Sequence, residues 1–90
     1  MKYTKHGKRR AVERGITEDM IQTALSMPTY TYYDLGTGAT VIFKKLDAKH
    51  LLVVYSTEDN QTKVITTFIT SVAQELIDRK LKSNAWVRVK

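Results

Sequence analysis

The chain contains no cysteine. That absence excludes disulfides, thiolate metal sites, iron–sulfur clusters and a cysteine nucleophile. Proline occurs once and glycine four times in 90 residues, too few for a linker or a collagen-like chain. Long apolar runs are missing too. The longest uncharged stretch, Met20 to Tyr33, is broken by Gln, Thr, Ser and Pro, so no membrane span is expected. The amino terminus lacks the apolar core of a secretory signal, which makes cytoplasmic residence the expectation. There is no P-loop, no G-x-S-x-G and no dinucleotide fingerprint. Two histidines without clustered acids provide no metal site, and neither metal nor cofactor is expected.

What remains is an ordinary globular composition, 42% hydrophobic and 27% charged, long enough for one core. Residues 1–90 therefore read as a single domain. The formal charge is +6, unevenly spread. Lys2, Lys5, Lys8, Arg9, Arg10 and Arg14 crowd the first fifteen residues against Glu13 alone. Residues 16–43 hold Glu18, Asp19 and Asp34 and no Lys or Arg, while Arg79, Lys80, Lys82, Arg88 and Lys90 enrich the other end. If the two ends meet, they form one electropositive face suited to phosphate; if not, they are solvated basic segments.

The periodicities give an α+β order. Residues 4–14 read as a basic helix with a thin apolar stripe of Gly7, Ala11 and Val12, closed by Gly15. Thr17 caps a second helix over 18–26, with Glu18 and Asp19 in its first turn and an Ile16–Ile21 staple. Met20, Ile21, Ala24 and Leu25 form its buried face, and Pro28 stops it. Four β-rich runs follow, 29–35, 39–46, 50–57 and 62–70, joined by short turns and hence expected as an antiparallel meander. The third run is apolar on both faces, which predicts a central strand covered on both sides. A third helix begins at Ser71, with Gln74 at capping-box spacing. Val72, Ala73, Leu76, Ile77 and Leu81 supply its stripe, Glu75 and Arg79 an outer pair, and Asn84 its stop. Residues 85–89 alternate like a short last strand, with Trp86 packing it.

On a helical wheel, at roughly 100° per residue, His6, Arg10, Glu13 and Arg14 share one face of the first helix. An imidazole moves protons near neutrality, two guanidiniums hold a phosphate, and a carboxylate orients the imidazole or acts as a base. That set suits metal-independent RNA cleavage. The plain alternative is a packed or capping His6, exposed arginines, and Glu13 paired with a neighbour. Lys5, Lys8, Arg9, Arg79, Lys82 and Arg88 are the wider candidates for nucleic-acid contact, and Thr67 is a candidate contributor from the sheet. Tyr30, Tyr32, Tyr33 and Tyr55 can stack bases or simply pack across strands. His50, beside a turn, reads as a solvent-facing residue at a strand edge.

The run from His6 to Thr17, followed by a short helix ending at Pro28, resembles domain-of-unknown-function family 4258, whose members typically show H-A-x-x-R-M-x-x-R-G-I, a helix and a β-meander. Val64–Thr70 is similar to the family's fourth strand, and Leu81–Trp86 looks like tails of microbial relatives. His6, Arg10 and Arg14 match the polar positions of the motif. Gly7 stands where Ala is usual and Ala11 where Met is usual, which bears on how deeply the helix packs. The family looks like a branch of the RelE- and barnase-like nuclease fold, which includes toxins of toxin–antitoxin pairs. The resemblance implies helices on an antiparallel sheet with a phosphate-handling groove. Three functions stay open at this point: a metal-independent endoribonuclease, a non-catalytic nucleic-acid-binding module, and a protein whose arginine-rich face docks an acidic, antitoxin-like partner.

Overall fold

A computed structural model describes residues 1–89; Lys90, counted above in the basic tail, lies outside them. The elements are β1 (Lys2–Tyr3), α1 (Lys5–Glu13), α2 (Glu18–Ser26), β2 (Tyr30–Asp34), β3 (Thr40–Leu46), β4 (Lys49–Glu58), β5 (Gln61–Thr70), α3 (Ala73–Lys82) and β6 (Trp86–Arg88). They build one six-stranded mixed sheet in the order β1-β5-β4-β3-β2-β6. Strands β2 to β5 form the antiparallel meander that the short turns require. β6 adds antiparallel to β2, and β1 adds parallel to β5 through Lys2↔Lys63 and Tyr3↔Val64. The α+β class and the two-sided burial of the third meander strand, β4, are as expected. β1 is an element that the sequence did not announce.

Turn chemistry sets the register. Asp59 (φ 50°) and Asn60 (φ 63°) both occupy the left-handed region, the pair of conformations that a tight two-residue hairpin demands between Glu58 and Gln61. The β2–β3 turn is held by Asp34, whose Oδ1 accepts the Gly36 and Thr37 amides (2.9 and 3.1 Å). Its Oδ2 accepts Nε1 of Trp86 (3.3 Å), so one carboxylate ties this turn to the last strand. Burial pushes its pKa up, but the Thr37 and Gly36 amides and the Trp86 indole outweigh that and hold it below the ordinary carboxylate value.

Side chains alternate across the sheet into two cores. On one face α1 and α2 cover Ile42, Leu51, Val53 and Val64, with Ile16 and Ile21 buried together as the staple requires. On the other, α3 covers Tyr32, Val41, Phe43, Leu52 and Trp86. Phe43, Ile42, Leu51 and Leu52 are essentially sealed from solvent, each contributing about 1.5–3 kcal/mol by leaving water. Both α1 and α3 end with left-handed residues, Gly15 (φ 66°) and Asn84 (φ 62°). In each case the following amide bonds back into the last turn, Ile16 to the Ala11 carbonyl and Ala85 to that of Lys80, both at 2.9 Å.

Five local expectations are corrected. Val12 does not join the α1 stripe: it is 69% exposed, and only Gly7 and Ala11 are buried. The Ser71–Gln74 capping box does not form; Val72 is the N-cap without a side-chain bond and is itself exposed. Gln74 instead donates to Asp78 (2.8 Å), and no ion pair joins Glu75 to Arg79. His50 is not at a sheet edge. It lies on interior β4, stacked on Tyr30 (5.9 Å) and edge-on to Phe43 (6.4 Å), its Nε2 buried without a partner.

Candidate functional site

The chain ends do not meet. β1 and β6 lie at opposite edges of the sheet, and α1 and α3 on opposite faces. Arg79, Lys82 and Arg88 therefore cannot extend the basic surface of α1. Lys80 leans over the Trp86 ring (5.8 Å), and Arg88 stands across from Tyr32 on β6. The candidate site contracts to α1 and the strand beneath it.

The seating of α1 explains its position. Thr4 caps the helix by accepting the Gly7 amide (2.9 Å). The same residue ties it to β5, its amide donating to the Val64 carbonyl (2.8 Å) and its hydroxyl to the Ile65 carbonyl (3.2 Å). Glycine at position 7 is what permits the closeness. A Cβ there would sit 2.4 Å from the Val64 carbonyl oxygen and 3.0 Å from that of Ile65. The helix backbone thus lies directly against the strand. Lys8 closes the near side, its ammonium 5.0 Å from the centre of the Tyr3 ring.

Of the four candidates on the shared face, three form a chain of contacts. Arg10 Nε donates to His6 Nε2 (3.4 Å), and Arg10 Nη1 lies 3.5 Å from Glu13 Oε2. Arg9 Nε stands 3.6 Å from the other carboxylate oxygen. These are surface contacts, each worth under about 1 kcal/mol. Glu13 therefore braces two arginines and does not touch the imidazole, contrary to the orienting role expected for it: Arg10 stands between them. An imidazole that accepts at Nε2 carries its proton on Nδ1, leaving a single N–H for other partners.

Arg14 leaves this group. Its Nη1 donates to the Thr67 carbonyl (2.9 Å), and its guanidinium lies 5.7 Å from the Phe68 ring centre. Arginine has further N–H donors in a fixed fork, and these remain for a ligand. A cleft of about 600 Å³ opens here, lined by Arg14, Phe68 and Ile69. Phe68 and Ile69 escaped the reading of the sequence, where they are two more apolar residues of a strand. Thr67 enters through its backbone only. Its side chain is fully buried, and its hydroxyl donates to the Leu52 carbonyl (2.8 Å), so it presents nothing to solvent. Lys5, Lys8 and Arg9 are exposed around the same helix.

Among the described residues no three His, Cys, Asp or Glu converge as metal ligands, and no helix is long and apolar enough to cross a membrane. The arrangement is an α+β domain that carries a cationic helix against one sheet edge, with an arginine planted over an aromatic cleft. By sequence, the chain belongs to the family described as domain of unknown function (DUF4258), whose model matches residues 3–69. No curated protein and no solved structure matches the chain.

Proposed function

We propose that this protein acts on RNA as a metal-independent endoribonuclease of the toxin-like, RelE- or barnase-like kind. The observation that carries the reading is the His6–Arg10 contact on α1 together with Arg14, one turn on, reaching around the β5 edge to the Phe68 cleft. Successive turns set Arg10 and Arg14 about 6 Å apart along the helix axis, a spacing that two guanidiniums can use on one phosphodiester or on neighbouring ones.

In this reading Arg10 swings from His6 onto the phosphate as RNA binds, and the freed Nε2 of His6 takes the proton of a 2′-hydroxyl. The freed oxygen attacks the adjacent phosphorus, the bond to the 5′ oxygen breaks, and the proton taken up by His6 passes to that oxygen as a 2′,3′-cyclic phosphate forms. Arg10 and Arg14 stabilise the charge that builds on the phosphoryl oxygens. Glu13 tethers the Arg10 guanidinium on this side of α1, beside the phosphate. Lys5, Lys8 and Arg9 draw the backbone in, and the Phe68 surface accepts a base. An acidic, antitoxin-like protein that occupies Arg14 and its cleft would silence the site.

The test is incubation of purified protein with single-stranded RNA in EDTA, beside His6→Ala and Arg14→Ala. Cleavage to cyclic-phosphate ends by the wild type, lost in His6→Ala, is expected. Intact RNA, or equal cutting by the variant, overturns it. RNA that is bound but never cut, with affinity falling as salt rises, returns the protein to the class of binding modules.

A further inference from the structure

β6 is an edge strand. It pairs with β2 on one side, and among the described residues nothing pairs with the other. The ladder decides which of its backbone groups are free. Tyr33 faces Val87, the Leu35 amide donates to the Ala85 carbonyl (3.0 Å), and the Val89 amide donates to the Thr31 carbonyl (3.0 Å). Bonded and unbonded pairs alternate in an antiparallel ladder. Ala85, Val87 and Val89 therefore point their ladder groups inward to β2, while Trp86 and Arg88 point theirs outward.

Exposed edges are usually blunted by short length, charged side chains, proline, a bulge or a covering element. The far end of the sheet follows that habit: β5 is met by β1, by Thr4 and by the Arg14 side chain. β6 is short and carries the charge of Arg88, but among the described residues it has no proline, bulge or cover. Beside it lies an apolar strip, with Tyr33, Leu35, Val87 and Val89 all 40% exposed or more. They share the face covered elsewhere by α2, but α2 packs over β3 and β4 and stops short of them.

We propose that two copies of this chain pair edge to edge through β6, antiparallel about a two-fold axis at Val87, to form one continuous sheet. That register is self-complementary. Trp86 of one copy faces Arg88 of the other, so every outward N–H meets an outward C=O. A register centred on Trp86 or on Arg88 would leave some of these groups without a strand partner.

The side chains fit the same axis. Arg88, the one charge on the strand, comes to lie beside Trp86 of the second copy, whose indole is buried, stacked on Tyr32 and overlain by Lys80, so the pairing rests on the backbone ladder and not on that ring. One strand further in is the Asp34 carboxylate that accepts from that indole. Asp34 is thus the acid that stands nearest to the second copy's Arg88, one strand in from the junction. On the opposite face Val87 meets its own symmetry mate, and Val89 covers Ala85. The pairing is independent of the RNA reading, because it uses the edge farthest from α1.

The chain's lack of cysteine makes the register directly testable. Unbonded antiparallel partners have Cα atoms about 4.5 Å apart, within the span a disulfide bridges. With glutathione disulfide as the electron acceptor, Val87→Cys is expected to form a covalent dimer about tenfold faster than Val89→Cys, whose symmetry mate lies off the axis. By sedimentation up to roughly millimolar protein, the wild type should approach twice the monomer mass. Arg88→Pro removes an outward N–H along with the guanidinium, and Val87→Lys places like charges on the axis. Both should stay monomeric with unchanged circular dichroism. If Arg88→Pro unfolds, Val87→Lys carries the comparison. A wild type that stays monomeric, a Val87→Lys variant that dimerises equally, or equal cross-linking from both cysteines overturns the proposal.

Discussion

Replacing Gly7 with alanine sets two effects against each other, and the structure says which wins. Alanine is the better helix former by about 1 kcal/mol, so on propensity alone the change stabilises α1. Space says otherwise. The new methyl group would stand 2.4 Å from the Val64 carbonyl oxygen and 3.1 Å from the Ile65 carbonyl carbon, and both are backbone atoms that cannot rotate away. Restoring an ordinary contact requires α1 to withdraw by about 1 Å. Overpacking of this kind costs about 1–3 kcal/mol. Withdrawal also stretches the two Thr4 bonds to β5, each worth about 1 kcal/mol. The net expectation is a loss of about 2 kcal/mol, or roughly 8–15 °C in melting temperature for a domain of this size. Urea denaturation followed by circular dichroism measures it. Gly36→Ala is the control, because its Cβ would meet only the flexible Asp34 carboxylate at 3.4 Å, and it should be near neutral. A Gly7→Ala protein as stable as the wild type would refute the claim that helix–strand closeness dictates glycine here.

Three other outcomes follow from the same geometry. Thr67→Val keeps the shape but leaves the Leu52 carbonyl without its buried hydroxyl donor; it should lose about 1–2 kcal/mol in a urea melt while leaving RNA cleavage per folded molecule unchanged. Arg14→Ala should weaken RNA binding and lower the slope of log affinity against log salt by about 0.7, read by titration at several salt concentrations, whereas Arg14→Lys should restore the slope but not the full affinity, because an ammonium cannot fork between carbonyl and phosphate. Asp34→Asn should destabilise the β2–β3 turn and β6 at neutral pH. The native carboxyl titrates below its unfolded value of about 4, so its contribution is present above that pH and is lost as pH falls through the lower native pKa. Thermal melts of the two proteins should therefore converge in acid.

The parts of this fold that were legible in the sequence are those decided locally. Thr17, the two acids after it and Pro28 bound α2 through chemistry within a few residues. The meander followed from short turns, and the interior place of β4 from apolar residues on both its faces. What escaped reading is what depends on distant partners. β1 is two residues long and exists because β5 offers it a ladder. Val12 lies on the helix side turned away from β5, a choice that a weak stripe cannot settle. The basic ends were separated by strand order, which charge counting does not contain. The same division runs through the candidate site. His6, Arg10 and Glu13 are neighbours by helical spacing alone. Arg14 meets Thr67 and Phe68 across a gap of more than fifty residues, and no pattern in either segment announces it.

That α1 meets β5 through backbone rather than large side chains has a dynamic consequence. With Gly7 and Ala11 as its only buried residues, the helix gives up little apolar contact when it lifts; polar tethers at Thr4 and Arg14 hold its two ends. Release of those tethers would let α1 open as a unit while the sheet stays intact. An anion that engages Arg14 acts as a clasp on that motion, and its arrival would register as slowed amide exchange along the whole helix.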